Sequence, residues 1–227
     1  MTTYSKKLYA FFKELRPPQR LPRGVEVLFP QQEAPVMKVT KVFFEKFYND
    51  DRPRRFMIGI NPGRFGAGIT GINFTAPRQL TDYCGIDHPF GNSSELSAEF
   101  IYEMIVAYGG AELFYKYCFI AAMSPLGYTK AGKNLNYYDE PALQKALLPF
   151  INDCLSKQLK MGFLLDNCAC IGGEKNYKFL NQLNEQRAKE GLLHFEKITP
   201  LPHPRFIMQY RRKTKEQFIQ QYLDVLR

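Results

Sequence analysis

Between Tyr4 and Leu15 the apolar residues Tyr4, Leu8, Phe11, Phe12 and Leu15 recur at the spacing of one helix face, and Pro17 and Pro18 stop the run. Residues 21–36, with Pro22, Pro30 and Pro35, read as a connector, and Val39–Tyr48 as a second helix carrying Val42, Phe43, Phe44 and Phe47. The pattern then changes. Residues 56–60 are a continuous apolar run with the length and continuity of a strand buried on both faces, 117–123 is a second apolar strand, and 163–171 and 195–199 read as a third and a short fourth strand. Helical patterns separate or follow them at 94–109, 141–160, 173–189 and 215–226. Strand and helix alternate through most of the chain, which predicts an α/β layered fold with a mainly parallel sheet. No internal repeat interrupts it.

In such sheets ligands sit beyond the carboxyl ends of the strands. The segments starting at Asn61, Ser124, Gly172 and Pro200 should therefore line one crevice. The first, residues 61–92, is long for a compact domain and rich in Gly, Pro, Asn and Thr, the profile of a functional loop. It opens with Gly59-Ile60-Asn61-Pro62-Gly63-Arg64-Phe65-Gly66. Pro62 and Gly63 force a tight turn that places Asn61 at the crevice mouth. This is neither a dinucleotide fingerprint nor a P-loop, since no Lys-Ser or Lys-Thr follows the glycines. The last loop, residues 200–213, holds His203 between Pro202 and Pro204, which fix its backbone. A histidine so framed can serve as a directed hydrogen-bond donor or acid/base group.

Charge sharpens the choice of partner. Lys and Arg outnumber Asp and Glu by 31 to 22, a net charge of +9, which favours a polyanion. Five of the basic residues fall within 205–215, where there is no acidic residue, beside the apolar Phe206, Ile207 and Met208. Apolar tips flanked by cations are what a DNA-wedging loop needs: the charges hold phosphates while the tips replace a base in the stack. The five scattered cysteines form no disulfide framework or metal-ligand spacing and read as buried reduced thiols. No segment approaches the ~20 apolar residues of a membrane span. The expectation is a soluble, cytoplasmic, monomeric protein with no membrane contact.

Taken together, these motifs resemble the uracil-DNA glycosylase superfamily, most closely its single-strand-selective monofunctional (SMUG) branch. That branch carries Gly-Met-Asn-Pro-Gly-Pro-Phe-Gly after its first strand, similar to residues 59–66 here. Its following Thr-Gly and pocket phenylalanine are matched by Thr70-Gly71-Ile72-Asn73-Phe74. Its Cys-Pro-Leu after the second strand is echoed by Ser124-Pro125-Leu126, and its late His-Pro-Ser by His203-Pro204-Arg205. Order and spacing fit from about Phe56 to the C-terminus.

The resemblance implies a three-layer α/β/α sandwich around a central, mainly parallel four-stranded sheet. The whole chain, 1–227, would be one such domain, with residues 1–50 as a helical extension packed on it. The implied partner is DNA containing a damaged base, and the reaction is excision of a flipped uracil or related deaminated base, xanthine or hypoxanthine. Asn61 would orient water and His203 would stabilise charge on the departing base. Gly63, Phe65, Phe74, Ala122 and Ser124 would form the base pocket. Arg205, Phe206, Ile207 and Met208 would intercalate, with Arg211, Arg212 and Lys213 on phosphates. No metal or organic cofactor is required. One position departs from the branch: the asparagine that reads the uracil edge, two residues before Cys-Pro-Leu, is Ala122 here. Ser124, Asn73 or Asn134 are candidates to compensate, and a pocket of broader taste is the other outcome. The competing reading is a nucleic-acid binder that keeps the fold without the chemistry.

Overall fold

A computed structural model describes residues 2–227. In chain order, helix α1 is Tyr4–Glu14, strand β1 Val25–Leu28, helix α2 Ala34–Phe47, β2 Arg55–Gly59, α3 Ala67–Thr70, α4 Pro77–Asp82, α5 Leu96–Tyr108, α6 Ala111–Tyr117 and β3 Cys118–Ala122. There follow β4 Gly127–Lys130, β5 Lys133–Leu135, α7 Pro141–Leu159, β6 Cys168–Ile171, α8 Gly173–Lys189, β7 Ile198–Leu201, α9 Pro204–Tyr210 and α10 Lys215–Leu226.

Four strands form the parallel sheet in the order β3-β2-β6-β7, flanked by helices. In β2, β3 and β6 nearly every residue is buried, as their unbroken apolar runs require. Phe56 of β2 lies opposite Phe119 of β3, and both rings pack on Phe163. Tyr48 at the end of α2 packs edge-on against Phe119, and the Tyr4 ring of α1 lies tilted against Phe163 at 4.8 Å, so the two N-terminal helices cover the aromatic face of the sheet. Phe12 stacks on Phe44 where α1 meets α2.

Arg54 ties these parts together. Its side chain is wholly buried, yet every guanidinium nitrogen has a partner: Nε donates to Tyr115 O at 2.8 Å, one terminal nitrogen to Asp50 Oδ1 and Arg52 O, and the other to Phe47 O. The Tyr4 and Tyr48 rings flank it, with centroids at 5.2 and 4.9 Å. A buried charge is tolerated only when paired and hydrogen-bonded in this way.

Several segments are more ordered than the pattern predicts. The connector 21–36 contains β1, and the region 124–138 contains the β4–β5 hairpin; together they make a second, antiparallel sheet in the order β1-β4-β5. The 61–92 loop carries α3 and α4. The last two strands of the parallel sheet are shorter or shifted, at 168–171 and 198–201. The final loop is largely α9: Pro204 at the first helical position has its fixed φ already suited to a helix, and His203 caps it. All five cysteines are buried and free, and burial pushes the Cys84, Cys118, Cys154 and Cys170 thiols up to about 12. Among the described residues no helix is long and apolar enough to cross a membrane.

Candidate active site

Beyond the carboxyl ends of the parallel strands lies a cavity of about 610 Å³, within the range of small-ligand clefts. Asn61, Phe74, Ala122 and His203, far apart in sequence, all line it.

Asn61 lies two residues beyond the end of β2 and its amide is held on both sides. Its Oδ1 accepts from the Tyr137 backbone N–H at 3.0 Å, and its Nδ2 donates to the carbonyls of Leu135 and Pro62, each at 3.3 Å. The carbonyl partners facing Nδ2 fix which end of the amide is which, and one lone pair of Oδ1 stays open. Tyr137 is itself pinned, because its hydroxyl donates to Asn176 Oδ1 at 2.8 Å and Asn176 Nδ2 donates to Ile171 O. The turn after Asn61 is cramped. Gly68 N donates to Gly63 O at 2.8 Å, and a Cβ on Gly66 would collide with the Glu95 carboxylate.

Phe74 sits half-buried at φ 53°, a left-handed conformation rare for an aromatic residue. Such a backbone costs of order 1–3 kcal/mol and persists only where its surroundings enforce it. Here Thr70 Oγ1 donates to Thr75 O at 2.6 Å, Thr75 Oγ1 donates to Asn73 O, and Asn73 Nδ2 donates to Ile120 O of β3 at 3.1 Å. The ring lies so close over β2 that a Cβ on Gly59 would stand 2.6 Å from it. The sequence needs glycine there to admit the ring.

His203 caps α9 and its Nδ1 accepts from Arg205 N at 3.1 Å. That bond leaves Nε2 to carry the ring proton in the neutral form. Burial, with the Arg205 cation beside it, lowers its pKa from 6.5 to about 4, so the ring is neutral near pH 7. Its centroid is 6.3 Å from that of Phe74. Glu95 also lines the cavity; burial raises its pKa and Arg205 opposes the shift.

A family model, "Uracil DNA glycosylase superfamily", matches residues 45–227. The chain belongs to the uracil DNA glycosylase superfamily. The single-strand selective monofunctional uracil-DNA glycosylases of Rattus norvegicus and Mus musculus are each 28% identical to it over 158 residues, covering 60% of this chain and 57% of theirs. The chain thus matches little more than half the length of those curated relatives. The crystal structure of wild-type Pedobacter heparinus SMUG2 is similar over 99% of this chain and 97% of its own, at 43% identity and a TM-score of 0.91. The α/β fold with its four-stranded parallel sheet is the fold of this superfamily member.

Gly63, Phe65, Phe74 and Ala122 all line this cavity, together with Asn61 and His203. Ser124 does not. It is fully buried, pairs with the Tyr128 hydroxyl at 2.7 Å and donates to Leu126 O, so it faces the core and is no pocket residue. The expected wedge loop also needs correction. Because 204–210 is helical, Ile207 and Met208 turn inward and are buried, and neither can enter a base stack. The exposed apolar groups of α9 are Phe206 and Tyr210, one helical turn apart with ring centroids 5.7 Å from each other. Arg205, Phe206 and Tyr210 line the cavity rim, and Arg211 lies over the Phe206 ring. Lys215, the fifth basic residue of the cluster, is tied to Glu103 at 2.6 Å. Sequence reasoning missed Tyr210, Tyr137 and Glu95; the i, i+4 spacing of Phe206 and Tyr210 is the signal that could have found the first.

Proposed function

We propose that this protein is a monofunctional DNA glycosylase that flips uracil, or a deaminated base with the same lactam edge such as xanthine or hypoxanthine, into the cavity and hydrolyses its glycosidic bond. The observation that carries the reading is the convergence of a doubly anchored Asn61, a tautomer-fixed His203 and the strained Phe74 on one cleft.

The base stacks on Phe74, a contact of about 1–3 kcal/mol in single-strand binders. The open lone pair of Asn61 Oδ1 accepts from a water and aims its oxygen at the sugar carbon. An amide is too weak a base to deprotonate that water, so its contribution is position. As the carbon–nitrogen bond breaks, the electron pair leaves with the base, and His203 Nε2–H donates to the base oxygen where that charge gathers. The water oxygen bonds to the sugar carbon, and its proton passes to solvent or the departing base. On this reading water, aimed by Asn61, serves as the nucleophile. Phe206 and Tyr210 at the rim support filling of the vacated stack, and Arg211, Arg212 and Lys213 support contact with phosphates.

The test is excision from oligonucleotides bearing uracil, xanthine or hypoxanthine, scored as alkali-labile abasic sites under single-turnover conditions. The wild-type protein should release uracil. Asn61→Ala and His203→Ala should each slow release by about 10²–10³-fold, the size of losing one preorganised group. No product from any lesion would refute the glycosylase reading, and full activity in both variants would refute the site.

A further inference from the structure

Ala122 places no polar side chain on the cavity wall, and Ser124 is turned into the core. The edge of the flipped base is therefore left without the reader that the first-loop and last-loop motifs would be paired with. We infer that Asn73 is that reader: its side-chain amide recognises the hydrogen-bonding edge of the base and selects bases that present an N–H beside a carbonyl. The inference rests on the glycosylase reading above and names the residue that gives that site its specificity.

Three observations carry it. Asn73 lines the same cavity as Ala122 and immediately precedes Phe74, so edge reader and stacking platform belong to one turn. That turn is rigid, being held by the Thr70 and Thr75 hydroxyls and by the Asn73 amide itself. The amide has a fixed direction, because Nδ2 donates at 3.1 Å to the carbonyl of Ile120 on β3, the edge strand of the parallel sheet. Turning the amide over would set Oδ1 against that carbonyl, acceptor against acceptor. Oδ1 thus points away from β3. Among the described residues no donor is bonded to it, and it is not sealed from solvent. Asn73 borders both this cavity and a small pocket lined by Ile72 and Ile120; on this inference the open Oδ1 lies on the side of the active cavity, with the second Nδ2 hydrogen beside it.

This pattern discriminates by chemistry. Uracil offers an imide N–H between two carbonyls, and hypoxanthine and xanthine offer a ring N–H beside a carbonyl; each donates to Oδ1. Cytosine presents a bare ring nitrogen at the corresponding place, which would face Oδ1 lone pair to lone pair. A site built to accept from a substrate N–H rejects an analogue without it, because the buried acceptor is left unpaired.

The experiment compares wild type, Asn73→Ala, Ala122→Asn and the double variant Asn73→Ala/Ala122→Asn in single-turnover uracil release. Melting temperature and affinity for abasic-site DNA are measured alongside. Asn73→Ala should lose about 10–100-fold in rate, the range for an unpaired buried partner, with abasic-site affinity unchanged. The double variant should recover at least tenfold, because β3 then supplies a carboxamide to the same edge. Ala122→Asn alone should give no gain, since the edge is already read. The inference is overturned by an unchanged rate in Asn73→Ala, by parallel loss of abasic-site binding, by absence of recovery in the double variant, or by a tenfold gain in Ala122→Asn. That last variant keeps Asn73 and its bond to Ile120, so it decides the matter even where Asn73→Ala fails to fold. Absence of uracil release from the wild type would instead refute the glycosylase reading itself.

Discussion

Asn61 and His203 show how little a side chain's identity fixes without its partners. An asparagine and a histidine near strand ends are common; a tautomer-fixed histidine whose Nδ1 is occupied by a helix-capping N–H is not. The capping bond and the low pKa act in the same direction, since protonating Nδ1 would break the cap and place a cation beside Arg205. Two outcomes follow. Excision measured at saturating enzyme should not fall with an apparent pKa near 6.5 on the acid side, because the ring that donates is already neutral down to about pH 4–5. Stability carries the matching sign. The unfolded chain takes up this proton near 6.5 and the folded one only near 4, so the contribution is full above 6.5 and is lost as pH falls between those values. Thermal melts of wild type and His203→Gln should therefore converge toward pH 4 and separate above pH 7, apart from a constant offset. An acid limb at pH 6.5 that disappears in His203→Gln would show that the ring titrates as in free solution.

The elements that matter most to the site are the ones the hydrophobic pattern shows least. The strands β2, β3 and β6 were legible because burial on both faces leaves a continuous apolar run. The strands β1, β4 and β5 are three or four residues long, β1 is only partly buried and β5 is mostly exposed, so period and propensity give them no voice. Yet β5 supplies Leu135 O to Asn61, and β4 sets the turn beside it. Gly127 at the start of β4 approaches so near to Pro62 that a Cβ there would clash with the Pro62 carbonyl and crowd the Leu28 side chain at 3.1 Å. Gly127→Ala should leave the parallel sheet intact and push the Pro62 turn, and Asn61 with it, out of line. A displacement of the order of 1 Å can cost about 10²-fold in rate. The expected result is a single-turnover rate lower by roughly that factor with abasic-site affinity within about twofold; an unchanged rate would mean that the small sheet does not position Asn61. The helix α9 was hidden for a different reason. Three prolines in five residues read as loop, although the last is in the one helical position where proline costs nothing.

At the scale of the whole molecule, the excess of nine positive charges has to be sorted before it explains anything. Lys41, Lys157 and Lys178 sit in i, i+4 ion pairs on exposed helix faces, and Lys130 and Lys215 are paired with Glu140 and Glu103. Among the described residues Arg205, Arg211, Arg212 and Lys213 have no ion-pair partner; Arg205 lines the cavity, and the other three follow in the turn between α9 and α10. These four are one cluster among the cations without an ion-pair partner, and on the proposed reading they would hold the DNA backbone while Asn61, Phe74 and His203 would act on the base. Phosphate contacts and chemistry should separate in experiment. Arg212 and Lys213 touch neither the cavity nor the rim aromatics, so Arg212→Ala/Lys213→Ala should weaken binding without changing the bond-breaking step. Each lost phosphate contact flattens the dependence of log affinity on log salt by about 0.9 on duplex DNA and about 0.7 on single strands. The double variant should lose nearly two units of slope on duplex and bind weakly at low salt, yet match the wild-type excision rate at saturating enzyme. An unchanged slope would place the DNA backbone elsewhere on the surface, and a reduced rate at saturation would mean that these cations help hold the nucleotide in the flipped state.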